Sequence, residues 1–218
     1  MSQNKMILNK DITKTIKLEY LLYLPEDYSV ETEKKWPLVL FLHGSGERGE
    51  DVTLVANNGI PMLAQEKKFP FIALSPQCPT YSNWETEKDA LLALLQEAFE
   101  SFSIDKDRVY LTGLSMGGYG TWSLSQQCPD LFAAIVPVCG GGNPDEVWRI
   151  KDIPVWAFHG AKDDIVPIEE TEKMVQALEK INGNVKFTIY PEANHNSWTE
   201  AYNEPELYNW LLAQKKIR

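Results

Sequence analysis

The segment Gly113-Leu114-Ser115-Met116-Gly117 flanks a serine with glycines two residues to either side, directly after the apolar run 109–112 and ahead of a segment of helical character. A serine at a sharp strand-to-helix turn holds a strained backbone, and its neighbours at that spacing must be small to avoid collision. Such a hydroxyl is a nucleophile only when a base takes its proton and a carboxylate orients the base. His195 follows the run 185–190 and is the candidate base, while Asp163 and Asp164 follow the run 155–158 and are the candidate carboxylates. The nucleophile, acid and base thus occur in the order Ser, Asp, His. His43 and His159 each stand in a His-Gly pair at the end of an apolar run, where a ring is expected to bond loop backbone.

An oxyanion formed on attack needs two N–H donors. The N–H of Met116, next to the nucleophile, is one candidate. The second is that of Ser45, in the loop His43-Gly44-Ser45-Gly46-Glu47 after the run 38–42. The competing use of a glycine-rich turn is to bind phosphate at a helix N-terminus, and no P-loop pattern or lysine surrounds Ser115. Cys78, Cys128 and Cys139 are odd in number and widely spaced, and the three histidines lack metal-ligand spacing. We therefore expect reduced thiols, no metal and no other cofactor.

The elements that must position these residues are legible as an alternation. Runs rich in β-branched and aromatic residues at 18–24, 38–42, 71–75, 109–112, 133–138, 155–158 and 185–190 read as strands. Segments 87–102 and 168–181 have helical period, and a last helix starts near Pro205, with Leu207, Trp210 and Leu211 inward and Lys215 and Lys216 at its C-terminal end. Apolar strands separated by helices imply an α/β fold, a mostly parallel central sheet with helices on both faces, whose ligand site lies at the C-terminal strand ends. With 218 residues, residues 1–218 are expected to form a single domain. A formal charge of −10, spread along the chain, argues against nucleic acid or an anionic membrane as partner. No signal-peptide pattern opens the sequence, which leads to the expectation of a cytoplasmic protein.

On Phe41-Leu42-His43-Gly44-Ser45-Gly46-Glu47, Gly113-Leu114-Ser115-Met116-Gly117-Gly118, His159-Gly160-Ala161-Lys162-Asp163-Asp164-Ile165-Val166-Pro167 and Ala193-Asn194-His195, in that order, the chain resembles α/β-hydrolase fold serine esterases over almost its whole length. The similar groups are single-domain carboxylesterases, acyl-protein thioesterases and feruloyl or acetyl-xylan esterases. The resemblance implies a Ser115, Asp163, His195 triad, and it selects Asp163 over Asp164 by its distance from the His-Gly pair. Asn194 stands where many such esterases have glycine. Only residues 139–153 separate two strands where larger relatives insert a lid, so no lid domain and an open site are expected, suited to small, short-acyl or aryl esters or ester groups on a polymer. Trp84 and Trp198 are candidate substrate contacts through their flat rings, with a loop-anchoring core position at least as strong an alternative for each. The alternatives are a serine peptidase on the same fold and a catalytically silent binding protein, which labelling of Ser115 by a fluorophosphonate separates from an esterase.

Overall fold

The computed structural model describes residues 3–29, 31 and 33–216. Strand β2 (Trp36–Leu42) is buried at every residue. Its period of two sends Leu38, Leu40 and Leu42 into one apolar cluster and Val39 and Phe41 into another, so both faces of the sheet must be covered. Six more strands complete the sheet: β1 (Tyr20–Tyr23), β3 (Ile72–Pro76), β4 (Ile104–Leu114), β5 (Ala134–Val138), β6 (Val155–Gly160) and β7 (Val185–Tyr190). Their order is β1-β3-β2-β4-β5-β6-β7, parallel throughout except for β1, which pairs antiparallel with β3.

Three helices supply side chains to the first cluster: α2 (Lys88–Ser101), α3 (Met116–Gln127) and α4 (Glu169–Lys180). Leu91, Leu94, Leu95 and Ala98 of α2 recur at helical spacing and are all buried. Each such leucine contributes about 1.5–3 kcal/mol. The second cluster is closed by α1 (Gly59–Leu63), α5 (Trp198–Asn203) and α6 (Pro205–Ala213), through Ile60, Tyr202, Leu207 and Leu211 among others. The sheet and both helical layers agree with the α/β expectation, and residues 139–153 hold only a short 3-10 turn, Pro144–Ile150, with no lid. Among the described residues no helix is long and apolar enough to cross a membrane.

Strand β4 is longer than its apolar run, because Ile104 pairs with Trp36 at the lower rim of the sheet, where charged residues reach solvent. Helix α6 ends at Ala213, so Lys215 and Lys216 lie beyond it and do not cap its dipole as expected. The chain is extended at Gln214, and Lys216 instead binds the carbonyls of Asp107 through its N–H and Asp130 through Nζ.

Candidate active site

The strand ends are level, since Leu42 is registered with Gly113, Leu114 with Val138, Val138 with Phe158 and Gly160 with Tyr190. The chain leaves β2 for β3 on one side and enters β4 on the other. The loops after β2 and β4 therefore meet at the point where strand order reverses, the usual ligand crevice of such sheets. Backbone contact draws them together. A Cβ on Gly117 would fall 1.9 Å from the Leu42 carbonyl oxygen, so the first turn of α3 lies against the end of β2 with no room for a side chain. Gly160 admits the histidine loop in the same way, because a Cβ there would lie 2.4 Å from the carbonyl oxygens of Ala193 and Asn194. Hydrogen bonds from Ala161 N–H to Tyr190 O and Lys162 N–H to Ala193 O, both 2.9 Å, complete that contact.

Ser115 has φ 53° and ψ −116°, with its N–H held by Val138 O at 3.0 Å. Its Oγ lies 2.9 Å from His195 Nε2, and His195 Nδ1 lies 2.8 Å from Asp163 Oδ2. Asp164 is exposed, so Asp163 is the carboxylate that meets the histidine. The Asp163 side chain is fully buried, and Oδ1 accepts the N–H groups of Ile165 at 3.0 Å and Val166 at 2.9 Å. Burial pushes this carboxyl up, but the bonds from His195 and from the Val166 and Ile165 N–H groups outweigh it and hold the group below the ordinary carboxylate range. A hydroxyl, imidazole and ionised carboxylate in such a line pass the hydroxyl proton to the ring as the oxygen attacks.

His159, expected to bond loop backbone, does so through Nε2 to Val166 O at 2.9 Å, and the same nitrogen lies 3.1 Å from Asp163 Oδ2. Its Nδ1 lies 2.7 Å from Thr171 Oγ1, which donates to Gly140 O. The acid loop is thereby tied to the end of β5. Nothing in the sequence pattern flagged Thr171.

Met116 opens α3, so its N–H is one of the first-turn amides that have no partner within the helix. Ser45 opens the 3-10 turn Ser45–Glu47 and is exposed. His43 sets that turn. It is fully buried, its Nε2 accepts Cys78 N–H at 2.9 Å, and its Nδ1 therefore carries the proton and donates to Gly44 O at 2.6 Å. Gly44 C=O and Ser45 N–H belong to one trans peptide and point opposite ways, so the ring fixes the direction of the Ser45 N–H. Burial pushes His43 down from 6.5 to about 4, keeping it neutral. An unfolded histidine thus takes its proton near 6.5 and the folded one only near 4. Between those values the unfolded state binds more protons, and stability falls as pH drops, by up to about 3 kcal/mol. Denaturant unfolding of wild type and His43→Gln at several pH values in this range checks it: the decline is expected to flatten in the variant. Turnover of His43→Gln is expected to fall about 10- to 100-fold, less than for outright loss of an oxyanion donor.

Of the two readings of Trp84, the structure favours the loop-anchoring one. It is 1% exposed and its indole N–H donates to His43 O at 2.9 Å, so it holds the loop and leaves little of its ring for stacking. Trp198 is half-buried and stands edge to face with His195, ring centroids 5.3 Å apart. Its N–H donates to Asn58 Oδ1, and Asn58 Nδ2 donates to Glu47 Oε1, a bridge from the histidine loop to the Ser45 turn that no motif announced. A hollow of about 350 Å³ opens beside Met116, bounded also by Asn83, Trp84, Glu85 and Tyr119.

A bifunctional acetylxylan esterase/xylanase of Neocallimastix patriciarum is 29% identical over 142 residues, 62% of this chain and 20% of that protein. A probable feruloyl esterase C of Aspergillus terreus is 28% identical over 178 residues, 76% of this chain and 62% of that protein. The crystal structure of a thermostable esterase superposes with a TM-score of 0.85 at 38% identity, covering 91% of this chain and 60% of that one. The chain spans less than two thirds of each of these proteins. The model of the dienelactone hydrolase family matches residues 80–210, which contain Ser115, Asp163 and His195, and over that majority of its length the chain belongs to the dienelactone hydrolase family.

Proposed function

We propose that the chain is a serine carboxylic-ester hydrolase with Ser115, His195 and Asp163 as its catalytic triad. The observation that carries this reading is the unbroken line from Ser115 Oγ through His195 to Asp163, with contacts of 2.9 and 2.8 Å. His195 takes the hydroxyl proton as Ser115 Oγ attacks the ester carbonyl, and the N–H groups of Ser45 and Met116 hold the oxyanion. His195 then protonates the leaving alcohol, leaving an acyl-enzyme on Ser115. Water, deprotonated by His195, releases the acid and restores the serine.

The substrates proposed are small, short-acyl or aryl esters of feruloyl or acetyl type, free or as ester groups on a polymer. The open hollow beside Met116 and the short connection after β5 support this, as do the relatives named for acetylxylan and feruloyl esters. Trp198, beside His195, is the aromatic contact kept in this reading. We take residues 1–218 to act as one catalytic domain without a cofactor, in the cytoplasm, where the free thiols of Cys78, Cys128 and Cys139 stay reduced.

The test is hydrolysis of p-nitrophenyl esters from acetate to long acyl chains, with labelling of the protein by a fluorophosphonate. Activity concentrated on short chains is expected, with labelling lost in Ser115→Ala and impaired in His195→Ala. Labelling that persists in Ser115→Ala, or a rate that jumps above the solubility limit of long-chain esters, overturns the mechanism or the open-site reading respectively.

A further inference from the structure

Cys139 follows β5 and takes no part in the proposed reaction, yet it is fully buried against it. Its φ of 41° is left-handed, one of three such values at non-glycine residues among those described, and another belongs to Ser115. Strained backbone of this kind persists only where the surroundings over-determine it. The Ser115 N–H, bonded to Val138 O, and the Ser197 hydroxyl lie near enough to the thiol to act on it electrostatically. Ser197 is itself fully buried, and its Oγ has no hydrogen-bond partner of ordinary geometry. One ligand atom each from Cys139, Asp163 and His195 lies within 4.8 Å of the others.

Sulfur, imidazole nitrogen and carboxylate oxygen are the ligand types of zinc, which binds them at about 2.0–2.3 Å in tetrahedral geometry. Three such atoms within 4.8 Å of one another are able to converge on one ion once Asp163 Oδ2 gives up its present contacts with His195 and His159. We propose that Cys139, His195 and Asp163 form an inhibitory site for a thiophilic divalent cation such as zinc. The ion enters past His195, whose side chain is 18% exposed. On binding, the Cys139 thiol loses its proton to solvent and the thiolate becomes the ligand, a deprotonation that coordination drives even though burial pushes the free thiol up to about 12. No electron is transferred. If the ion takes His195 Nε2, the acceptor of the Ser115 proton is lost; if it takes Nδ1, the proton held there moves to Nε2, so the bond to Asp163 and the acceptor of the Ser115 proton are both lost. Turnover stops in either case, and that consequence rests on the proposed triad, whereas the coordination does not.

Two readouts on the full chain separate site from function. Cobalt is titrated as a spectroscopic stand-in for zinc, and a thiolate-to-cobalt absorption band in the near ultraviolet is expected in wild type and Cys128→Ser and absent in Cys139→Ala. Zinc is then titrated against ester hydrolysis, and reversible inhibition at micromolar free zinc is expected, released by a chelator and weakened by at least about tenfold in Cys139→Ala. A band that survives in Cys139→Ala, the lack of any band in wild type, or equal zinc sensitivity of the two proteins overturns the proposal. A Cys139-dependent band with no effect of zinc on hydrolysis overturns the inhibitory role and speaks against His195 as the base.

Discussion

Ser115→Ala is expected to lower kcat for ester hydrolysis by about 10⁶-fold, the cost of removing a nucleophile that works as one unit with its base. The residue left behind keeps the helix N-terminus, the Ser45 turn and the hollow, so a residual rate about 10³–10⁴ above water is the ceiling on what binding and oxyanion donors achieve alone. The fold should be unaffected, because alanine fills the site of Cβ and the Ser115 N–H still bonds Val138 O. Strain makes a second variant informative. At φ 53° and ψ −116° a Cβ is unwelcome, a cost on the order of 1–3 kcal/mol. Ser115→Gly removes it, and is expected to raise the thermal midpoint above that of Ser115→Ala while remaining equally inactive. Steady-state kinetics and thermal unfolding of the three proteins check both parts. Turnover within about a hundredfold of wild type in Ser115→Ala would mean that another group attacks the ester, since loss of a nucleophile costs far more.

That strained turn was also the most legible part of the sequence. Two glycines at fixed offsets around a serine leave one geometry, and the contact of 1.9 Å that a Cβ on Gly117 would make with Leu42 O is the physical content of the spacing. Strands were equally plain, because a doubly covered sheet demands apolar residues at both parities, as in β2. Local pattern carried no information about partners distant in the chain. Asn58, bonded to Glu47, reaches Trp198 across 140 residues, and Thr171 joins His159 to Gly140. In sequence Cys139 is only one of three widely spaced thiols, and its nearness to Asp163 and His195 comes from loops far apart in the chain. Which of the two roles Trp84 takes is not legible in the sequence for a related reason: its ring is needed under His43, and a sequence does not say which side of a loop an indole takes.

Asp163→Asn carries the second large effect, about 10⁴-fold in kcat, and the hydrogen bonds around the carboxylate dictate why. Oδ1 accepts two N–H groups, from Ile165 and Val166, so an asparagine must keep its carbonyl oxygen there to avoid opposing donors. Its NH₂ then replaces Oδ2, facing His195 Nδ1 at the position where 2.8 Å separates the native pair. A donor at that place obliges Nδ1 to accept, the ring proton moves to Nε2, and Nε2 meets Ser115 Oγ with a proton where a lone pair is required. Geometry survives while the base is switched off. Asp163 also adds to stability above the ordinary carboxylate value of 3.8, and that contribution is lost only as pH falls through its lowered folded value. An acid limb of the wild-type pH–rate profile at pH 5 or above is therefore expected from a group other than Asp163. Asp164→Asn, at an exposed position, is the control and should retain nearly full turnover. Nitrogen-15 shifts of the His195 ring read the tautomer directly: the native protein should show Nδ1 protonated, and the Asp163→Asn protein Nε2. A variant that keeps the native tautomer and loses little activity would remove Asp163 from the mechanism and leave its bonds to His159 and the acid loop as its whole role.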